Sequence, residues 1–455
     1  MQELEREKKK EYWAERERIR KELFTEGEVE EETLSRASRK EKSKESRQRR
    51  RKRVIFLLLM VLIATYLFLW HTPYGNGLLN QVTDLAQRTE GEQATYEEPE
   101  LQEEVQDADE EEVQEEDADE EQSAPEEETE NVYAATMTSE VKDSLADVPE
   151  RVYVPNVIDG TITVIDPATF KVVDTYPVDQ LPYHVTPSWD MSQLLVNNEE
   201  SSTFTVIDPE TGRPSGTVSV PFPYNFYYTP DGKTAIVVVE RLQTLEFHDT
   251  DTWELKGSVY IPWPGVDHLD FSKDGDYFLA SSEYSGVVSK IDAKNMELVD
   301  YAEVGSLPID IKLSPDGKVF YVADQGSGGV HVIDPDTMKE VDFIPTGQGA
   351  HGLQVSRDTK SLYVSNRLEG TVSVIDFKTR KVTDTWVTGG TPDMFQLSPD
   401  GRQLWVSGRY DGAVYVIDTE NGELLSTIYT GAQPHGIAYF PNPGRFSLGH
   451  NGVYR

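Results

Sequence analysis

The chain has eight histidines, and four of them, His184, His268, His351 and His435, stand at comparable points of a repeating sequence. Asn225, Asp310 and Asp393 fill the same point in the intervening copies. Imidazoles and carboxylates that converge in this way could hold a transition-metal ion, a haem or a polar ligand, since they offer lone pairs to a cation and hydrogen bonds to a neutral group. They could equally hydrogen-bond only to water. A second recurring set comprises Asn156, Glu199, Arg241, Glu283, Gln325, Arg367 and Arg409, with Tyr284 and Tyr410 nearby. Its arginines suit forked hydrogen bonds to an acidic ligand and its tyrosines suit recognition, while ordinary loop solvation accounts for the same residues. No GxSxG, HExxH or CxxCH motif occurs, so no residue is assigned a catalytic role. With no cysteine, the chain has no disulfide, zinc-thiolate site or cysteine nucleophile.

The elements that position these residues follow from the period. Asp166, Asp208, Asp249, Asp292, Asp334, Asp376 and Asp418 recur every 41 to 43 residues. One copy, residues 351–389, reads as four strand-like runs, HGLQVSRDTK, SLYVSNRLEG, TVSVIDFKTR and KVTDTWVTG, separated by turn residues. We call these strands A, B, C and D, from the inside outward. In SPDG (Ser314–Gly317 and Ser398–Gly401) and TPDG (Thr229–Gly232), Pro pre-sets the second turn position and Gly closes the A–B turn. In IDPAT, IDPET and IDPDT, Asp opens the C–D turn with Pro behind it. Helical repeats of this length would carry helix-spaced apolar stripes, and none is present. A period of about 40–45 residues made only of strands predicts propeller blades.

SLYVSNRLEGTVSVIDFKTRKVTDT, VFYVADQGSGGVHVIDPDTMKEVDF and QLWVSGRYDGAVYVIDTENGELLST resemble copies of the YVTN repeat. The resemblance covers about residues 151–444, with weaker copies around VVVERLQTLEFHD and LLVNNEESSTFTVID. It implies a β-propeller of the kind found on bacterial and archaeal surfaces and in the periplasm, related in fold to the haem-binding propeller of cytochrome-type nitrite reductases. It implies fold strongly and activity weakly. The strand count predicts an all-β, seven-bladed propeller of four-stranded antiparallel blades. The domain opens on a B strand at Arg151–Asn156 and ends on a lone A strand at His435–Phe440, so that strand should complete the first blade and leave no open edge. The remaining segment, 445–455, is read as a cap, because Phe446, Leu448 and Tyr454 need burial.

Before the repeat the composition changes three times. Residues 1–53 carry 19 Lys/Arg against 14 Asp/Glu, an arm of solvated, partly helical character. Val54 to Trp70 form an uncharged apolar run, at the short end of what crosses a bilayer as a helix. Arg49, Arg50, Arg51, Lys52 and Arg53 precede it, and no Lys or Arg follows until Arg88. The positive-inside rule then keeps the N-terminus in the cytoplasm and exports everything after Trp70, to the bacterial cell surface or periplasm. Residues 71–150 carry 2 Lys/Arg against 27 Asp/Glu and read as a disordered, self-repelling stalk.

A net charge of −39 opposes binding to phosphate backbones, so nucleic acid is not an expected partner. The expected partners are the lipid bilayer, through residues 54–70, and an extracytoplasmic protein, glycan or small polar ligand at the channel face. The expectation is a non-catalytic binding or scaffold module without a cofactor. The alternative is a propeller enzyme or redox protein, such as a lactonase-like hydrolase with a metal or a haem-binding domain.

Overall fold

Three inner strands of each repeat are apolar on both faces and the fourth is polar, a gradient that suits a sheet running from a buried axis to solvent. In the computed structural model, which describes residues 131–455, this is how the chain is arranged. The basic arm, the apolar run 54–70 and the acidic stretch up to residue 130 lie outside the described residues, as do the expectations placed on them. Among the described residues no helix is long and apolar enough to cross a membrane.

Seven antiparallel sheets of four strands each are formed. In one of them β20 (Ala350–Val355), β21 (Ser361–Asn366), β22 (Thr371–Asp376) and β23 (Lys381–Val387) lie side by side in chain order. The first three are buried almost throughout, and β23 is mostly exposed. The turns behave as their sequences predict. Ser398 Oγ donates to Asp400 at 2.6 Å while Gly401 takes φ 71°, and Asp376 Oδ1 accepts the Thr379 amide at 2.7 Å.

The Asn that ends several B strands has a structural task. Asn156 donates through Nδ2 to Thr161 and Thr163, both at 2.9 Å, and Asn366 does the same to Thr371 at 3.0 Å and Ser373 at 2.9 Å. Each ties the B–C hairpin together in a buried setting where an unpaired amide would be costly. Asn156, counted on sequence among the loop residues facing a ligand, is therefore a hairpin clamp.

The ring closes as the strand count requires. β28 (Ala438–Phe440) pairs with β1 (Arg151–Asn156) in the register Tyr153↔Ala438, Val152↔Tyr439 and Arg151↔Phe440. The expected inner strand at 435–440 is regular only over its last three residues. Pro434 instead makes an isolated bridge to Asn156, and Gly436 one to His184 of the next blade. The core lies between blades: Tyr153, Ile162, Val164 and Phe440 of the first pack against Val185, Leu194, Val196 and Ile207 of the second.

Two expectations about the flanks need correction. Residues 131–150, counted with the disordered stalk, pack on the propeller at the end carrying the A–B turns. Tyr133 is buried and donates from its hydroxyl to the Leu313 carbonyl at 2.9 Å, and Leu145 joins the core cluster of the first two blades. Val132 packs beside Tyr133, and Val141 and Val148 beside Leu145, so apolar anchors hold the segment to the propeller.

The closing segment is more than a cap. Ser447 and Tyr454 bridge, and Leu448 and Val453 bond through their backbones, so residues 447–454 form a hairpin with Gly449, His450, Asn451 and Gly452 at its tip. Its base sits at the A–B turns, where Phe446 stacks on Trp189 with ring centroids 5.4 Å apart. Its tip runs up the channel between the A strands, where the His450 amide donates to the Phe226 carbonyl at 3.2 Å.

Candidate functional site

The A strands that deliver the channel residues are β4 (Pro182–Pro187), β8 (Asn225–Tyr228), β12 (Val266–Phe271), β16 (Pro308–Leu313), β20 and β24 (Pro392–Leu397), followed by the lead-in to β28. Their pairing separates the single ring expected from sequence into two neighbouring registers. Pro182, Val266, Pro308, Ala350, Pro392 and Pro434 are equivalent, since each pairs with the last residue of its B strand. His351, Asp393 and His435 come one residue later. His184, His268 and Asp310 come two residues later, and Asn225, paired with Val238, belongs with them.

The first set forms one connected network at the mouth of the channel. Asp393, fully buried, accepts from Arg367 Nε at 3.0 Å and also from Arg367 Nη2, while His435 Nδ1 donates to its other oxygen at 2.5 Å. Arg367 further reaches His351 Nε2 and, at 3.1 Å, Gln325 Oε1. Burial works against charge on Asp393, but Arg367 and His435 outweigh it and hold the carboxyl well below its usual range. Desolvation by burial pushes His435 down to about 4 and keeps His351 well below an ordinary histidine, so both are neutral at pH 7.

The other loop candidates fall into two groups. Arg241 Nε pairs with Glu199 at 2.5 Å and its Nη2 with Glu200 at 2.6 Å, a self-contained cluster. Across the mouth, Glu283 and Glu240 are both raised to about 7, first by burial and then by the Asp267 carboxylate. Arg409 lies over the Tyr183 ring at 5.6 Å with a buried Nη1 that has no hydrogen-bond partner, and His435 Nε2 is unpartnered as well. Tyr284 and Tyr410, at 62 % and 61 % exposure, stand out on the rim with Ile158, Leu242 and Leu368, all in B–C loops.

The second set gathers around the hairpin tip. His184 Nδ1 donates to Asn451 Oδ1 at 2.9 Å, and its ring centroid is 5.1 Å from that of His450 and 5.6 Å from that of His268. His268 and His450 are 4.4 Å apart by the same measure. Asn225 accepts the Phe226 amide on Oδ1 and donates from Nδ2 to His450 Nδ1 at 3.0 Å. His268 Nδ1 lies 2.9 Å from Asp267 Oδ1, and although burial disfavours its charge, that carboxylate raises its proton affinity. Asp310 is held by Lys312 Nζ at 2.9 Å and lies 3.7 Å from His450 Nε2. Gly436 belongs to the arrangement, because a Cβ there would collide with His184 Nδ1 and Asn451 Oδ1.

Sequence reasoning missed His450, Asn451 and Asp267. His450 lies beyond the last repeat, but the tetrapeptide Gly449-His450-Asn451-Gly452 is a turn signal with a histidine in it. Positive φ at Gly449 and Gly452, 103° and 95°, is what lets the chain reverse inside the channel.

A propeller protein from Desulfotomaculum acetoxidans DSM 771, described as functionally unknown, is similar in structure, with a TM-score of 0.56, 17% identity, and coverage of 64% of this chain and 99% of that one. The dihydro-haem d1 dehydrogenase NirN, solved in complex with DHE, gives a TM-score of 0.51 at 16% identity over 66% of this chain and 76% of its own. At such identities the likeness is one of fold. No curated protein sequence matches the chain significantly. A profile described as a YNCE-like beta-propeller matches residues 133–443, beginning within the segment that packs on the A–B turns. The chain belongs to the YNCE-like β-propeller family.

Proposed function

We propose that the chain is a non-catalytic binding module, anchored in the bacterial membrane by residues 54–70 with its propeller outside the cytoplasm, which engages a partner protein at the channel mouth. The observation that carries this reading is the rim. Ile158, Leu242, Tyr284, Leu368 and Tyr410 are exposed by between 38 % and 66 % around a mouth that holds an unpartnered Arg409 Nη1 and His435 Nε2. An apolar and aromatic rim around a few buried, unpartnered polar groups has the composition of a recognition surface. The outer D strands also expose apolar side chains such as Val299 and Tyr301, which furnishes an internal control.

Placement of the entry point supports the same reading. Residue 131 sits at the A–B turns, where Val132 donates its amide to the Pro315 carbonyl at 2.9 Å, so the described chain enters the propeller at the end opposite the mouth. A photo-crosslinking residue at Tyr284 or Tyr410 in living cells should yield one discrete protein adduct, and the same residue at Val299 should not. Rim positions that give no adduct, or the same adducts as Val299, would end the recognition reading. Protease added to intact cells stripped of any outer layer should release a folded fragment starting before Asn131. Protection until lysis would reverse the orientation.

A further inference from the structure

His184, His268 and His450 are all fully buried, and one ring nitrogen from each lies within 4.8 Å of the others. In a sheet-lined channel that has an internal hairpin, three histidines could be mere packing. Their hydrogen bonding argues otherwise. His184 spends Nδ1 on Asn451, which leaves Nε2 as a bare lone pair, and that atom has no partner in the protein. His268 Nδ1 lies 2.9 Å from Asp267 Oδ1 as an ion-pair contact without hydrogen-bond geometry, and both of its ring nitrogens are buried without a hydrogen-bond partner. A buried imidazole nitrogen without a hydrogen bond costs stability, so the unpartnered nitrogens of His184 and His268, two rings of one cluster, call for a third party. His184, held at Nδ1 by an amide oxygen with Nε2 left open, and His268, with a carboxylate beside its Nδ1, have the kinds of partner that orient metal-ligating histidines.

We infer that His184, His268 and His450 form a binding site for a single divalent transition-metal ion, zinc foremost, in which the C-terminal hairpin supplies the third ligand and is thereby pinned inside the propeller. Three imidazoles and no thiolate suit zinc, copper, nickel or cobalt over calcium or magnesium, which prefer oxygen. Zinc–nitrogen bonds of about 2.0–2.1 Å place tetrahedral ligands roughly 3.4 Å apart, so binding draws the widest pair together by about 1.4 Å. The movement falls on the hairpin tip, which is tied to the channel wall by His450 N to Phe226 O, the His450 ring to Asn225, Asn451 to His184 and the Gly452 carbonyl to Gln396. His450 must release a nitrogen in doing so, because Nδ1 now accepts from Asn225 while Nε2 lies 3.7 Å from Asp310. The tip fills the channel with ring centroids 4.4 to 5.6 Å apart, which leaves space for an ion and none for a macrocycle between these histidines.

This site is independent of recognition at the rim, and the two readings fail separately. The test uses the full-length chain, without a histidine tag, stripped with chelator and titrated with Zn²⁺ alone. Wild type should bind one zinc per chain, and a Co²⁺ titration should develop the visible band of a nitrogen-ligated tetrahedral ion. H450Q, H268Q and H184Q should each lose at least about 100-fold in affinity, and D267N about 10- to 100-fold through the orientation of His268. H351Q, in the neighbouring mouth network, should bind as wild type does. Zinc should raise the melting temperature of wild type and leave that of H450Q unmoved, a reading that holds even if H450Q starts from lower stability. No stoichiometric zinc in wild type, or unchanged stoichiometry and affinity in H450Q, overturns the assignment. Unaltered rim adducts in H450Q would show that only the metal site had been removed.

Discussion

Asp393 is the keystone of the mouth, and Asp393→Asn measures how much of the ring depends on it. The carboxylate is fully buried, and Arg367, at 8 % exposure, has no other anion within reach among its hydrogen-bond partners, which are His351 and Gln325. Removing one member of a buried pair strands the other, at a cost of about 3–5 kcal/mol. Asparagine keeps the shape and one acceptor oxygen, so we expect the lower end, about 3 kcal/mol. Arg367→Gln added to it removes the stranded charge, and the double variant should recover about 2 kcal/mol relative to the sum of the single changes, within the range of coupling for contacting residues. The assay is urea unfolding followed by tryptophan fluorescence, with the denaturant slope checked for constancy. The pH dependence has a definite sign. Because Asp393 is held well below an unfolded carboxyl of about 3.9, its contribution is fully present above that value and is lost only as pH falls through the folded one. The gap between wild type and Asp393→Asn should therefore be flat from about pH 5 to 8. A loss under about 1 kcal/mol, or a double variant as unstable as the two single changes added together, would refute the reasoning.

Ending the chain before His435 removes β28 and reopens the first blade, so that protein should fail to fold, whereas ending it at Gly444 should leave a folded ring of lower stability; equal melting of the two would contradict the closure. Glu240 is raised to about 7 by burial and by Asp267, so the folded state binds more protons than the unfolded chain between about pH 4.3 and 7. Its contribution to stability must then fall as pH rises through that window, so Glu240→Gln should lose relative stability to wild type at the acid end and converge on it toward pH 7. A stability difference between variant and wild type that does not change with pH across the window would show that the carboxyl is not perturbed.

Much of this could be read in the chain before folding. The 41- to 43-residue recurrence of Asp166 through Asp418, the SPDG and IDPxT turns and the surplus A strand at the end are local signals, and each concerns bonds made within a few residues. They suffice for seven blades and for the closure of β28 on β1. What they do not contain is how the inner strands align around the axis. The histidines at 184 and 268 and those at 351 and 435 share a spacing of about two repeats, yet a one-residue difference in where each stands relative to its B strand sends them to different partners, Asn451 and Asp267 in one case, Asp393 and Arg367 in the other. His450 carries no periodic signature at all. It joins His184 and His268 only because the closed ring leaves a channel, the glycines at 449 and 452 let the tail reverse inside it, and Gly436 leaves the space that Asn451 occupies. Blades are encoded residue by residue along each repeat, whereas the site on the axis exists only once seven of them have closed and a segment outside the repeat has entered between them.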